Sequence, residues 1–399
     1  MRSCRIKLIV KIFEEINKKY EYTVLHHLKT IFDKKTDIDL VIDCNKQEFI
    51  DIMKDISKEL DLKIINFFTI DKNIFRLDFV FLDENNSLDT IELDCLLLGY
   101  DENLYKLNAD YFLDNSQVKE FEGYKFNIVE PLREYEYYIK KKAYKNDDIK
   151  THYKYLQELQ PNKSIKDIDK LYQFWRGYFS SNLYKTKYII NKISLTYIRL
   201  FDNPSLTISI LGPDGSGKST IIDNLFEQNI FRNKYYFHLK PLKQKQSDSK
   251  ICEEPHKFKV YSPMKSYLKL LYFMYQYSYG WIKNILPLEF KSSLIVFDRY
   301  YDDILVDSKR YRYGGRLSIA RIVRYFIPKP DLYFILTTDA DTIYKRKQEV
   351  PFEELERQIK EYRNLGDDKK YFNIDVNRTP VEISNEIIEI IARKMNERY

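Results

Sequence analysis

The chain has 399 residues, 44% of them hydrophobic and 16% aromatic, which excludes global disorder. Its 66 basic and 60 acidic side chains leave a net charge of +6, too mild to argue by itself for a nucleic-acid partner. The length favours more than one domain, and four scattered cysteines (Cys4, Cys44, Cys95 and Cys252) without metal-ligand spacing suit a reducing, cytoplasmic setting.

The opening stretch lacks the long uncharged core of a signal peptide. Residues 7–19 place Leu8, Ile9, Ile12 and Ile16 at helical spacing, and Tyr22 to Leu28 is expected to begin a second helix. His26 and His27 would point to different faces of it, so they make no joint metal site. The run DKKTDIDLVID, residues 33–43, reads as a strand with Asp37 and Asp39 on one side. Carboxylates so placed suit a divalent metal. Strands are also expected over Phe75 to Leu82 and Thr90 to Leu98, the latter carrying Asp94.

The pattern Asp-Ile-Asp-Leu-Val with a later strand aspartate resembles the nucleotidyltransferase fold of the polymerase-beta type, over roughly residues 5–145. The resemblance implies that Asp37, Asp39 and Asp94 hold metal ions for nucleotidyl transfer. That family carries Gly-Ser or Gly-Gly before its first carboxylates, and VLHHLKTIF here has neither.

Residues 130–200 read as charged helices, with Ser164 a candidate cap. FDNPS, residues 201–205, reads as a linker. Then LTISILGPDGSGKSTIIDNL, residues 206–225, runs from an apolar strand through glycines into a helix. It fits Gly-x-x-x-x-Gly-Lys-Ser/Thr, a loop whose backbone N–H groups cradle a polyphosphate. Gly212, Asp214, Gly215, Ser216, Gly217, Lys218, Ser219 and Thr220 are the expected ATP-binding residues. Lys218 would reach the β and γ phosphates and Ser219 would hold Mg²⁺.

Strands are expected at Leu206 to Leu211, Tyr235 to Leu239, Ser293 to Phe297, Leu332 to Thr337 and Tyr371 to Val376, forming a parallel sheet. Thr379, Pro380 and Glu382 signal the start of the last helix. The stretch from Ser266 is apolar but broken by Lys269 and Lys283, so a buried helix is expected there and no membrane span. The basic stretch from Lys240 to Lys259 reads as a loop. Asp298, Arg299 and Tyr300 end a strand, where a carboxylate can hold Mg²⁺ and an arginine can fork onto phosphate.

With GPDGSGKST, this Asp-Arg-Tyr resembles the thymidylate kinase family of P-loop kinases, over about residues 206–395. The resemblance implies ATP- and Mg²⁺-dependent phosphoryl transfer to a small acceptor. By it Asp214 faces the acceptor sugar, Lys240 stands at an acceptor-phosphate position, and Arg346 is the lid arginine. Lys218, Asp298, Arg299 and Arg346 form the expected catalytic set. After Asp-Arg-Tyr the family's thymine-recognition pattern is replaced by YDDILVDSKRYRYGGR, whose Arg310, Arg312 and Arg316 would suit a more anionic or bulkier acceptor or a salt-bridged surface loop. Lys345, Lys347 and Arg357 read as helpers or as a face laced with Glu349, Glu353 and Glu354.

The reading is an α/β protein: residues 1–145 an α+β nucleotidyltransferase-like domain, 146–203 a helical extension and linker, and 204–399 a thymidylate kinase-like domain with a parallel sheet flanked by helices. Its partner is a small-molecule phosphoryl acceptor. The alternatives are a nucleotide-gated binding module, its first domain gripping nucleic acid, and a polynucleotide end kinase.

Overall fold

The computed structural model describes residues 4–25, 31–33, 37–84, 88–98, 107–201, 203–228, 230–231, 233–242 and 258–398. His26, His27, Cys252 and most of the basic stretch before Lys259 lie outside the described residues. The chain divides into two compact units, residues 1–202 with 391–399 and residues 203–390.

In the first unit, helix α1 (Cys4–Asn17) buries Ile9, Ile12 and Ile16 at the expected spacing. The segment from Tyr22 was expected to be helical but starts as strand β1 (Tyr22–Val24). There follow β2 (Ile38–Ile42), helix α2 (Lys46–Glu59), β3 (Lys63–Asp71), β4 (Ile74–Leu82) and β5 (Leu88–Leu97). Helix α3 (Ala109–Leu113), β6 (Gln117–Phe121) and β7 (Tyr124–Ile128) complete a seven-stranded mixed sheet ordered β3-β4-β5-β2-β1-β7-β6. The helix expected at Tyr22 loses to tertiary pairing: Tyr-Thr-Val is aromatic and β-branched, and Thr23 and Val24 are held between Val41 and Leu40 of β2 on one side and Ile128 of β7 on the other. Neither α2 nor strands β3, β6 and β7 were expected. A capping box, Asn45 with Glu48, starts α2.

Helices α4 (Pro131–Lys145), α5 (Tyr153–Leu159), α6 (Ile165–Ser180) and α7 (Asn182–Phe201) follow, as the charged helical patterns predict. Ser164 caps α6 in a reciprocal box with Asp167. Arg199 donates to the Thr69 carbonyl at 2.9 Å, tying α7 to β3.

The second unit runs β8 (Leu206–Leu211), α8 (Lys218–Glu227), β9 (Asn233–His238), α9 (Pro263–Gly280), α10 (Leu286–Glu289) and β10 (Ser293–Asp298). It continues α11 (Asp303–Val306), α12 (Leu317–Arg324), β11 (Leu332–Thr337), α13 (Ala340–Arg346), α14 (Phe352–Arg363), β12 (Tyr371–Asp375) and α15 (Pro380–Asn396), the last running past the unit's boundary at residue 390. The five strands are parallel and ordered β12-β11-β8-β10-β9. Every residue of β8, β10 and β11 is buried, as expected for strands covered on both faces.

Helix α9, expected to be buried, buries only one face. Leu270, Phe273 and Tyr277 face the core, while Leu268, Leu271, Tyr272 and Tyr275 are exposed. Among the described residues no helix is long and apolar enough to cross a membrane.

Candidate functional site

Parallel strands deliver their following loops to one edge of a sheet, and adjacent β8 and β10 place two loops side by side there. The loop after β8 needs glycine where the backbone is crowded or left-handed. A Cβ on Gly212 would meet the Leu336 carbonyl oxygen at 2.4 Å, so β11 leaves no room for a side chain. Gly217 precedes α8 at φ +88°, a conformation costly to other residues. The turn so formed aims the first N–H groups of α8 outward, ready for an anion.

Lys218 folds back into this loop. Its ammonium donates to the carbonyls of Gly212 at 3.0 Å and Pro213 at 2.8 Å. Burial, and then the neighbouring Arg299, lowers its pKa to about 7. The Ser216 hydroxyl is buried without a hydrogen-bond partner, and Ser219 and Thr220 are exposed at the start of α8.

The lysine gives the site a pH dependence. A bound triphosphate favours the ammonium, which the empty loop lets go above about pH 7. A triphosphate bound in this loop is therefore expected to take up a proton above that value, its affinity falling toward roughly tenfold per pH unit. Titration calorimetry in buffers of different ionisation enthalpy reads the proton directly. Proton-neutral binding near about pH 8.5 contradicts this.

Asp298 ends β10, 7% exposed. One carboxylate oxygen accepts from Tyr236 at 3.2 Å and lies 3.6 Å from His238, and the other is buried with no hydrogen-bond partner. Burial pushes this carboxyl up, but His238, Lys218 and Arg299 hold it below its ordinary value. An ionised, bare oxygen is what a hard divalent cation takes.

Arg299 follows in left-handed backbone, φ +68°, its N–H anchored on the Ile210 carbonyl at 3.0 Å. The guanidinium grips the fully buried Asp303 with both oxygens, at 2.9 and 3.1 Å, and also donates to Asp214 of the glycine loop. Tyr311 at 2.8 Å and Tyr362 donate to the same Asp303 carboxylate. Arg310 donates to the second oxygen of Asp214. Burial would raise the Asp214 carboxyl, but Glu349, Arg299, Lys218 and Arg310 hold it well below the carboxylate range. Glu349 shifts the other way, raised by burial and then by Asp214. Asp214, Arg310, Lys347, Glu349 and Gln358 line a narrow cleft.

A glycine loop, a buried lysine, a bare carboxylate and a clamped arginine thus meet at one sheet edge. Residues 210–387 match the model of the thymidylate kinase family. The second half of the chain carries a thymidylate kinase domain. A solved thymidylate kinase from Candida albicans is 21% identical, the match covering 48% of this chain and 93% of that one at a TM-score of 0.37. One from Ehrlichia chaffeensis is 18% identical, over 47% and 98%, at a TM-score of 0.32. No curated protein matches the chain.

Within the kinase domain, Lys218, Asp214, Asp298 and Arg299 are brought together. Arg346 is not: it ends α13 exposed, with no hydrogen bond or ion pair among the described residues. Arg310 pairs with Asp214 of the loop, and Lys347 pairs with Glu349 at 2.5 Å. Arg357 pairs with Glu354 at 2.7 Å, the laced face that charge alternation predicts. Asp303 lies in the YDDILVDSKRYRYGGR run, which the sequence marks only as a departure from the family pattern, and nothing local in the sequence gives Tyr311 and Tyr362 this role. Their one signal was a high tyrosine content, 35 residues, which has no positional information.

In the first unit Asp39 of β2 stands opposite Asp94 of β5. Asp37 precedes β2. Cations lie on these acids: Lys141 donates to Asp39 at 2.6 Å, and Arg76 reaches Asp94 at 3.4 Å and Asp37 at 3.5 Å. Arg76 also pairs with Asp78 at 2.9 Å and with Glu92. Asp37, Asp39 and Asp94 are thus each paired with a cation in this structure. Among the described residues no three acid, histidine or cysteine side chains are placed to hold a metal. Burial would lower the Lys141 ammonium, but Tyr137 and Asp39 hold it up as a cation. Asp39, Asp94, Lys141 and Lys145 line an open cavity whose other walls include Ile74, Leu96 and Leu107.

Proposed function

We propose that the second half of the chain is an ATP- and Mg²⁺-dependent phosphotransferase of the thymidylate kinase-like type, acting on a small nucleotide, nucleoside or sugar (phosphate) acceptor. The observation that carries this is the convergence of Lys218, Asp298 and Arg299 on one glycine loop. In this reading the loop's N–H groups and Lys218 bind the triphosphate, and Arg299 and Asp214 orient the acceptor. Mg²⁺ would sit on Asp298 and Ser219, where it neutralises phosphate charge; the bare buried oxygen of Asp298 fits such an ion.

The acceptor oxygen bonds to the γ-phosphorus as the bond to the β–γ bridging oxygen breaks. ADP leaves with that electron pair, and a hydroxyl acceptor releases its proton to solvent. The protein's part is positioning and charge neutralisation.

For the first half, the reading is a nucleotidyltransferase-like domain over residues 1–145, joined by 146–203 to the kinase domain at 204–399. What supports it is the mixed sheet with Asp39 opposite Asp94 at a cavity.

One assay tests both halves: nucleoside monophosphates, nucleosides, sugars and sugar phosphates with ATP and Mg²⁺, and the Lys218→Ala variant as control. Lysine-dependent ADP release stimulated by one acceptor is the expected result. ATP binding with no stimulation by any of them overturns the small-acceptor reading in favour of a polymer acceptor or a binding module. Pyrophosphate release with some nucleoside triphosphate is expected of the first half, and its absence with all of them removes that reading.

A further inference from the structure

Lys240 lies just after β9, Lys265 and Lys269 sit one turn apart on α9, and Arg312 sits in the loop between α11 and α12. Two aromatic rings join them into a row. The Lys240 ammonium is 4.4 Å from the Phe273 ring centre, and that of Lys269 is 5.3 Å from the same ring. Lys269 is also 5.3 Å from the Tyr261 ring, over which Lys265 and Arg312 stand at 4.4 and 4.2 Å. Leu239 and Arg312, at either end, hold left-handed backbone, φ +61° and +53°.

The charge of this row is not balanced from within. Lys240 donates to the Gln276 side-chain oxygen at 2.8 Å, Lys269 to the Tyr311 carbonyl at 2.5 Å and Arg312 to the Lys259 carbonyl at 3.1 Å, all neutral acceptors. Among the described residues no carboxylate pairs with Lys240, Lys265, Lys269 or Arg312. The contrast is local: Arg299, Arg310, Arg324, Lys347 and Arg357 of the same unit each have an acid partner. The cost is visible in the lysines themselves. Burial, then Lys269, lowers Lys240 to about 8, and burial, then Arg312, lowers Lys269. Like charges held close and half-desolvated are stabilised only when an anion joins them.

We propose that Lys240, Lys269 and Arg312 form a second anion site, separate from the ATP loop, and that it takes an acceptor bearing two neighbouring anionic phosphate groups. Lys240 alone stands at the position that the family resemblance assigns to an acceptor phosphate. The row extends that position to Lys269 and Arg312, which a monophosphate at Lys240 would leave uncompensated. The proposal rests on the kinase reading for calling its ligand an acceptor, and it adds the charge class of that acceptor.

The probe is inorganic pyrophosphate, followed by calorimetry without ATP. Pyrophosphate is expected to bind the Lys218→Ala protein, whose ATP loop is disabled. In that background Lys269→Gln with Arg312→Gln should weaken it at least about tenfold, in line with the loss of charge-assisted contacts. Arg312→Gln alone, at a part-exposed position, should weaken it severalfold and keeps the test open if the lysine change unfolds the protein. Pyrophosphate that binds only when Lys218 is present, or that is indifferent to Lys269 and Arg312, overturns the proposal. The kinase reading stands or falls on lysine-dependent turnover, so the two failures are told apart.

Discussion

Lys218→Ala is expected to lower phosphoryl-transfer turnover by about a thousandfold or more and to leave the fold intact. The rate effect follows from charge. The γ-phosphoryl group spreads negative charge over its equatorial oxygens in the transition state, and a fixed buried ammonium is worth more there than in water. The fold is spared for a separate reason. Burial lowers the pKa of Lys218, which means the surroundings disfavour its charge. Its two hydrogen bonds go to loop carbonyls, and it lies 3.9 Å from Asp214, whose closer partners are Arg299 and Arg310. Rapid-quench turnover together with the urea midpoint gives both numbers. Full activity in the variant would sink the kinase reading, and a collapsed midpoint would mean that the lysine holds the loop together.

A change of similar weight, but on stability, is expected at Asp303. This carboxylate is fully buried and accepts from Arg299, Tyr311 and Tyr362 at once. Asp303→Asn keeps the shape, removes the charge and turns one acceptor oxygen into a donor. Arg299, 4% exposed, would then keep only Asp214 as its acid partner. Breaking a buried pair from one side costs about 3–5 kcal/mol, or roughly 10 °C of melting temperature for a unit of this size. Urea and thermal unfolding check it, and a loss under about 0.5 kcal/mol would show that Arg299 is held chiefly by Asp214. Activity should fall with it, because Arg299 would no longer be fixed over the loop.

These two residues also mark what the sequence makes legible. The loop around Lys218 can be read directly because its function belongs to local backbone: glycines where φ is positive, a lysine one step later, a strand before and a helix after. The clamp on Arg299 cannot, since its parts come from α11, from the loop after α11 and from α14, and no local period links them. Arg310 was visible only as one cation in a basic run; its partner, Asp214, lies far back in the chain. Strand β1 was misread because three residues carry too little periodicity to outweigh a helical guess, and its pairing with β2 and β7 is supplied by residues elsewhere. Arg346 is exposed at the end of α13, so the role that the resemblance implies for it rests on no contact among the described residues.

Asp39 and Asp94 face one another because β2 and β5 run in step. Their partnership is therefore a matter of parity rather than of spacing. The chain between the two strands can lengthen or shorten in its loops without separating the acids. One residue inserted in β5 ahead of Asp94 would instead bring Leu93 to that address and turn Asp94 to the opposite side of the sheet. A lineage of such chains would tolerate wide variation in loop length around this cavity while tolerating none within the two strands that meet at its floor.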